Sequence, residues 1–401
     1  MLLCLRVRQA FAIGVGLALV LIGPAAISGE MVGSPMAETY GHAWVRWWTA
    51  AEWPAWSQGT TLVEGARSWP VIDPLPTWVF GGVAQIVGDT WAWNLSAALG
   101  IVVTALGGGA LARSLRGSPI FGAAISPVMP IYLGSIHSGL TEDYFLGFVG
   151  LSLAAGVEKR WVSAGLWAGI SAWCGLYLGW FAGVGLAVLA GFRAIRWLWR
   201  VLRQYRAMPP RTMSPLGWIL ATARAVSGPL LGLSFAAAIS LGAAWPFLTV
   251  LQDHGPVRPP PVNEPFYALN PWRAADLASF LTPGSTTTDA RTTAPIVMRQ
   301  HPTYVGGVTV FFAIMGGMHP AGIAVAALGV ASLGDEISWM GNPTGLGNPI
   351  STLLHKIPMG DKFRNHARLM LLGQLILVAL ASRGARNLVV RIANDPVRSL
   401  R

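Results

Sequence analysis

The segment "HSGLTEDYF", residues 137 to 145, sets two carboxylic acids side by side, Glu142 and Asp143, between two apolar stretches. Neighbours on a helix point about 100° apart, and negative charge is favoured at a helix N-terminus. One of the pair can therefore face a cavity while the other caps the helix that follows; the blander reading is a solvated helix start. A third carboxylate, Glu38 in "AETYGHAW", stands a few residues beyond the first apolar run. Partial desolvation there raises a carboxylate toward the range of a working base, although a lone loop glutamate is commonly solvated or paired with an arginine. On a facing element, Glu38 with Glu142 or Asp143 could also hold a divalent cation, Mg or Mn, through oxygen ligands. His42, four residues after Glu38, shares its face if the stretch is helical and could orient the carboxylate. Asp73 in "DPLP" reads first as a turn residue and second as a further group lining the site.

Opposite charges stand at the other end of the chain. Lys362, Arg364, His366 and Arg368 lie just outside the last apolar run, and Arg364 and Arg368, four apart, share a helical face. Arginines grip phosphate oxygens with two parallel hydrogen bonds. Lipid headgroups offer the same phosphate, so interfacial anchoring is the competing reading.

The elements that must position these groups are membrane helices. The chain is 53% hydrophobic and 11% charged with mean hydropathy +0.52, whereas soluble domains carry roughly a quarter charged residues. Apolar runs recur at about 10 to 27, 93 to 112, 118 to 136, 145 to 157, 161 to 176, 177 to 192, 226 to 247, 303 to 317, 319 to 333 and 367 to 382. Several are nearer 15 residues than the 20 or so of a clean span, so about ten spans are expected, some broken or tilted. The 48 glycines and 28 prolines suit close helix packing and unwound segments lining a cavity. The first thirty residues read as an uncleaved first helix, with a cleaved secretory signal as the competing reading. Cys4 and Cys174 provide neither a disulfide framework nor a metal-thiolate spacing.

Charge sets the expected orientation. With both termini cytoplasmic, the inner pieces hold 18 of the 28 Lys and Arg, and the outer loops hold 15 of the 17 Asp and Glu. Pro76 to Trp93 then reads as a helix at the outer interface, and Trp44 to Trp53 as another in the headgroup plane. Residues 193 to 225 read as a basic cytoplasmic loop, following a helix end, that anchors that face; its interleaved aromatics do not make it a nucleic-acid site. Outer loops span about 28 to 92, 248 to 302 and 334 to 366, the last mixing Gly-Asn-Pro breaks with a short apolar helix.

In order, "AETYGHAWVRWW", "DPLP", "GDTWAWN", "LARSLRGS", "SPVMP", "SGLTEDYF", "YVGGVTVFFAIMGG", "SLGD" and "IPMGDKFRNHARLMLLGQLILVALASRG" resemble the GT-C superfamily of integral membrane glycosyltransferases, especially its bacterial branches. The likeness covers most of the chain and implies a single all-α polytopic GT-C-like domain over residues 1 to 401 in the bacterial inner membrane and cell envelope. It implies a polyprenyl-phosphate-linked sugar as donor and a glycan, lipid or protein acceptor. By the same resemblance Glu38 is the carboxylate of the first outer loop and Glu142 or Asp143 the second acidic position. Such a transfer deprotonates an acceptor hydroxyl and stabilises a phosphate leaving group, the latter a task for Lys362, Arg364, His366 and Arg368. Two other classes stay open: a non-catalytic lipid- or glycan-handling protein of the same architecture, and a secondary transporter. The transporter fits less well, because most acids sit in loops and the halves look unlike.

Overall fold

The computed structural model describes residues 2–34, 39–51, 73–207, 215–254, 280, 304–339, 342–354, 356 and 366–394. These form fourteen α-helices, short 3-10 turns and one β-hairpin: α1 Leu2–Ser28, α2 Thr39–Ala51, α3 Pro74–Val87, α4 Asp89–Ser114, α5 Pro119–Ile125, α6 Pro130–Ser138, α7 Gly147–Val157, α8 Trp161–Cys174, α9 Leu176–Ala207, α10 Pro215–His254, α11 Gly307–Met315, α12 Pro320–Ser332, β1 Glu336–Trp339, β2 Asn342–Gly347, α13 Pro349–Leu354 and α14 Leu369–Asn394. Each of the ten apolar runs contains helix within the described residues. Five described helices are long and apolar enough to cross a membrane, Val7–Ser28, Asp89–Ser114, Leu176–Arg203, Val226–Trp245 and His366–Asn394. The pair Pro119–Val128 and Pro130–Ser138, bent by 42°, makes a sixth if it is one span. The remaining four runs form α7, α8, α11 and α12, of 9 to 14 residues. The protein is thus a helical chain with several membrane-length helices.

Local chemistry sets the breaks. Ser118 accepts a hydrogen bond from the Phe121 N–H with Pro119 in the first turn of α5, and Pro130 opens α6 in the same way, since proline there sacrifices no helical hydrogen bond. Gly139 ends α6 in the left-handed region, φ +70°.

α4 and α14 are the interior helices, most of their residues buried. α4 packs against α1, α5 and α7, and α14 against α11 and α12. Glycine permits the closest of these contacts: a Cβ on Gly107 would collide with the Gly147 backbone, and one on Gly147 with that of Val103 and Thr104.

The described residues are overwhelmingly helical, as expected of an all-α membrane protein, with one short β-hairpin, Ser338 opposite Pro343 and Trp339 opposite Asn342, added between α12 and α13; its Gly345 at φ +76° supplies a backbone conformation that suits glycine. Two details differ. The basic stretch 193 to 225 is not chiefly loop, because α9 continues to Ala207 and α10 starts at Pro215. Arginine is a good helix former, and here Arg196 covers the Phe192 ring and Arg203 the Trp199 ring, each one turn back. The Pro76 to Trp93 stretch divides at Gly88, φ +83°, into α3 and the first turn of α4.

The two ends of the bundle differ in charge. At one end Asn94 of α4 ties down the exit of α1, accepting from the Val32 N–H at 2.8 Å and donating to the Glu30 carbonyl at 2.8 Å. At the other end Arg113 and Arg160 both reach Glu158 at 2.9 Å, Arg193 donates to the Val157 carbonyl and Arg386 to that of Arg116.

Candidate functional site

Thr141–Asp143 form a single 3-10 turn between α6 and α7. Small residues let this turn sit deep: a Cβ on Gly139 would meet Thr39 at 2.5 Å, and one on Gly175 would strike the Glu142 carbonyl. α2 and the start of α9 therefore close over it. The side chains turn inward, and Glu142 is 4% exposed, Asp143 0% and Arg368 5%.

Arg368, in the 3-10 turn that leads into α14, is the centre of the charge pattern. Its Nη2 donates to Glu142 Oε1 at 2.8 Å, its Nε lies 3.7 Å from Asp143 Oδ2, and its guanidinium lies 4.9 Å from the centre of the Tyr177 ring. Asp143 Oδ2 also accepts from the Ser135 hydroxyl at 2.8 Å. From α2, His42 brings Nε2 within 3.4 Å of Glu142 Oε2, while its Nδ1 shares a hydrogen bond with the Thr141 hydroxyl at 3.0 Å.

Arg46, one turn beyond His42, lies against the Trp93 and Phe80 rings at 5.0 and 5.8 Å, with Asp73 at 3.7 Å. Asp73 accepts from the Thr77 hydroxyl at 2.8 Å. It precedes α3 but makes no side-chain cap, so its turn role is secondary to its place beside Arg46.

Electrostatics separate the two adjacent acids. Burial opposes ionisation of Glu142, but the Arg368 guanidinium and then His42 outweigh it and hold this carboxyl below its usual value. For Asp143 burial wins over Arg368, and the neighbouring Glu142 charge adds to it, pushing the carboxyl up to about 6. Burial also raises Asp73, against the pull of Arg46, and lowers Arg46 itself. Paired carboxyls with values driven apart can divide acid and base roles, one staying charged while the other exchanges a proton near neutrality.

The structure thus unites five of the sequence-derived candidates, His42, Asp73, Glu142, Asp143 and Arg368. Neither acid of the 142–143 pair caps a helix or meets solvent: α7 starts later, at Gly147, without a side-chain cap, and both carboxyls turn to Arg368. His366 points elsewhere, with Nε2 3.4 Å from the Ser351 hydroxyl, which donates to Asp335 at 2.6 Å. Glu38, Lys362 and Arg364 lie outside the described residues. Arg46 was missed by sequence reasoning, although its spacing of four from His42 puts both on one face of α2.

The expected divalent-cation set of Glu38, Glu142 and Asp143 is not complete within the described residues, because Glu38 lies outside them. Among them no three of His, Cys, Asp or Glu gather to hold a metal ion, and Arg368 already serves as the positive partner of Glu142 and Asp143. No family model, no curated protein and no solved structure matches this chain.

Proposed function

We propose that this chain is an integral membrane glycosyltransferase that moves a sugar from a polyprenyl-phosphate donor to a glycan, lipid or protein hydroxyl at the outer face of the bacterial inner membrane. In this reading it has about ten spans and both termini are cytoplasmic. The observation that supports it is the convergence of His42, Asp73, Glu142, Asp143 and Arg368, from separate segments, on one buried cluster of acids and bases at one end of the bundle. Asp143 accepts the proton of the attacking hydroxyl, since its Oδ1 is buried without a hydrogen-bond partner. Glu142, held ionised by Arg368 and His42, keeps the positive charge of the site in place, and Glu38 is the second catalytic carboxylate. General-base removal lowers rates about 100-fold to 10,000-fold. Transfer from a polyprenyl-phosphate sugar by purified Asp143→Asn and Glu38→Gln is the test. Turnover within about threefold of wild type in both variants sinks the assignment.

The burial of the cluster favours a second reading, in which the same ion pairs lock separate segments of a non-catalytic lipid- or glycan-handling protein. Under it, Asp143→Asn alters stability while wild type shows no transfer with any polyprenyl-phosphate sugar.

A further inference from the structure

A cavity of about 200 Å³ lies where three pieces of the bundle fail to close: the bend between α5 and α6, the chain entering α11, and the middle of α14. Protein interiors are close-packed, with few voids larger than a water molecule, so this one needs a cause. Pro127 and Pro130 supply it. Neither has an N–H to continue the helix, and the axis turns by 42° between Val128 and Pro130. On the facing side α11 begins only at Gly307, after Gly306 at φ +77°. A helix that bends away and a helix that starts late leave a gap against α14.

The cavity lies at hydrocarbon depth. Gln374 on its wall is six residues, about 9 Å, past Arg368 along α14. Val378 is four residues, about 6 Å, short of Ser382, whose carbonyl takes the Ser118 N–H near the opposite end. The cavity is not sealed, since Val128, Val305 and Thr309 on its wall are half-buried. Beside it α11 turns Val308, Phe311 and Ile314 outward, 69%, 55% and 73% exposed. In a chain with several membrane-length helices such a face meets lipid tails, so the mouth opens onto hydrocarbon.

The walls suit the same material. Ile125, Val128, Met129, Leu377 and Val378 line the α5–α6 and α14 sides, and Thr309 and Gln374 are the polar side chains. Gln374 commits its amide N–H to the Tyr304 carbonyl at 2.9 Å, and a helical threonine hydroxyl can return its proton to a carbonyl one turn back. Ordered water needs two to four polar partners; a hydrocarbon chain needs none. An engineered apolar cavity of about 150 Å³ takes up benzene, so this one has room for several carbons of a chain.

We infer that this cavity binds a segment of an acyl chain from a membrane lipid, which enters sideways between α11 and the α5–α6 bend. Acyl chains are the hydrocarbon present in excess around a membrane protein, and occupancy follows concentration. Filling the void recovers dispersion contacts that its lining otherwise lacks. The inference rests on the lining and its depth, and not on the transfer reaction.

The test is photolabelling of the purified full-length protein in vesicles of phosphatidylethanolamine and phosphatidylglycerol that contain a phosphatidylcholine with a diazirine in its acyl chain. After irradiation, peptide mass spectrometry should find label on Met129 or Leu377, 2% and 9% exposed, as well as on exposed Ile314. Lipids that merely surround the protein reach Ile314 and not the other two. Val378→Phe, which fills the cavity, should abolish label at Met129 and Leu377 while Ile314 stays labelled. Should that variant fail to fold, Thr309→Phe at a half-buried position plugs the mouth with the same expected loss. Label confined to exposed residues overturns the inference, whether the cavity then holds water or nothing, and so does label at Met129 and Leu377 that persists in the filled variants. Competition identifies the chain: excess oleic acid should displace the label, and displacement by farnesol alone would give the site to an isoprenoid chain and overturn the acyl assignment.

Discussion

Arg368 Nη2 lies 2.8 Å from Glu142 Oε1 across 226 positions of sequence, and both side chains are buried. The pair fastens the turn after α6 to the start of α14. Breaking a buried pair leaves one charge without its partner, which costs about 3 to 5 kcal/mol, whereas replacing both with apolar groups is often close to neutral. Glu142→Leu and Arg368→Met should each lower stability by that order, and the double variant should lose clearly less than their sum. Thermal melts in detergent, completed as a double-mutant cycle, measure this. Strictly additive losses would mean that the contact carries no coupling.

Asp143 gives the cluster a pH dependence of known sign. Its carboxyl is raised to about 6 by burial and by Glu142 on its own turn, against Arg368 from the start of α14, Ser135 from α6 and His42 from α2. Between the unfolded value near 4 and about 6, the folded state binds the extra proton, so this group's contribution to stability falls as pH rises through that window. Glu142 acts in the reverse sense, its contribution being lost as pH falls through its depressed value. Wild type should therefore lose melting temperature relative to Asp143→Asn between pH 4 and pH 7, by on the order of 2 kcal/mol once converted. Parallel pH profiles for the two proteins would place the titration elsewhere.

Much of this was legible in the sequence, for reasons tied to particular residues. Long apolar runs mark helices because a membrane-length segment has few other ways to satisfy its backbone. Pro119 and Pro130 announce helix starts through their fixed φ. His42, Asp73, Glu142, Asp143 and Arg368 stood out because charge is rare beside such runs. Their pairing did not, since nothing local couples Arg368 to Glu142. Arg46 was hidden by composition: within "WVRWWTAAEW" it reads as an interfacial anchor, and only the packing of α2 on α3 shows that it points inward. The continuation of α9 past Arg193 was likewise obscured, because basic charge was weighed as a topology signal and not as helix-forming side chains.

The α4–α7 contact is sensitive to single carbon atoms. A methyl group on Gly147 has only the backbone of α4 to push against, so Gly147→Ala should destabilise by about 1 to 3 kcal/mol or more. Gly183 in α9 has open space where its Cβ would lie, and Gly183→Ala should be neutral or slightly stabilising. Comparing the melting and monodispersity of the two variants checks the helix register. Indistinguishable behaviour would show that the two glycines do not differ in surroundings as described.

Orientation decides whether the cluster can meet an extracytoplasmic donor. Arg113, Arg116, Arg193 and Arg386 lie at the end of the bundle away from Glu142, where Glu158 is engaged by Arg113 and Arg160. Basic residues are retained on the cytoplasmic side during insertion, so the proposed orientation has that end inside and Asp89, at the start of α4, outside. A background with Cys4→Ala and Cys174→Ala removes both native thiols. On it, Asp89→Cys should react in intact cells with a membrane-impermeant maleimide, and Arg200→Cys only after the membrane is opened. Both positions are exposed, so a lack of reaction reports sidedness rather than burial. The reverse pattern would put the acid cluster on the cytoplasmic side, where the outer-face transfer proposed here does not take place.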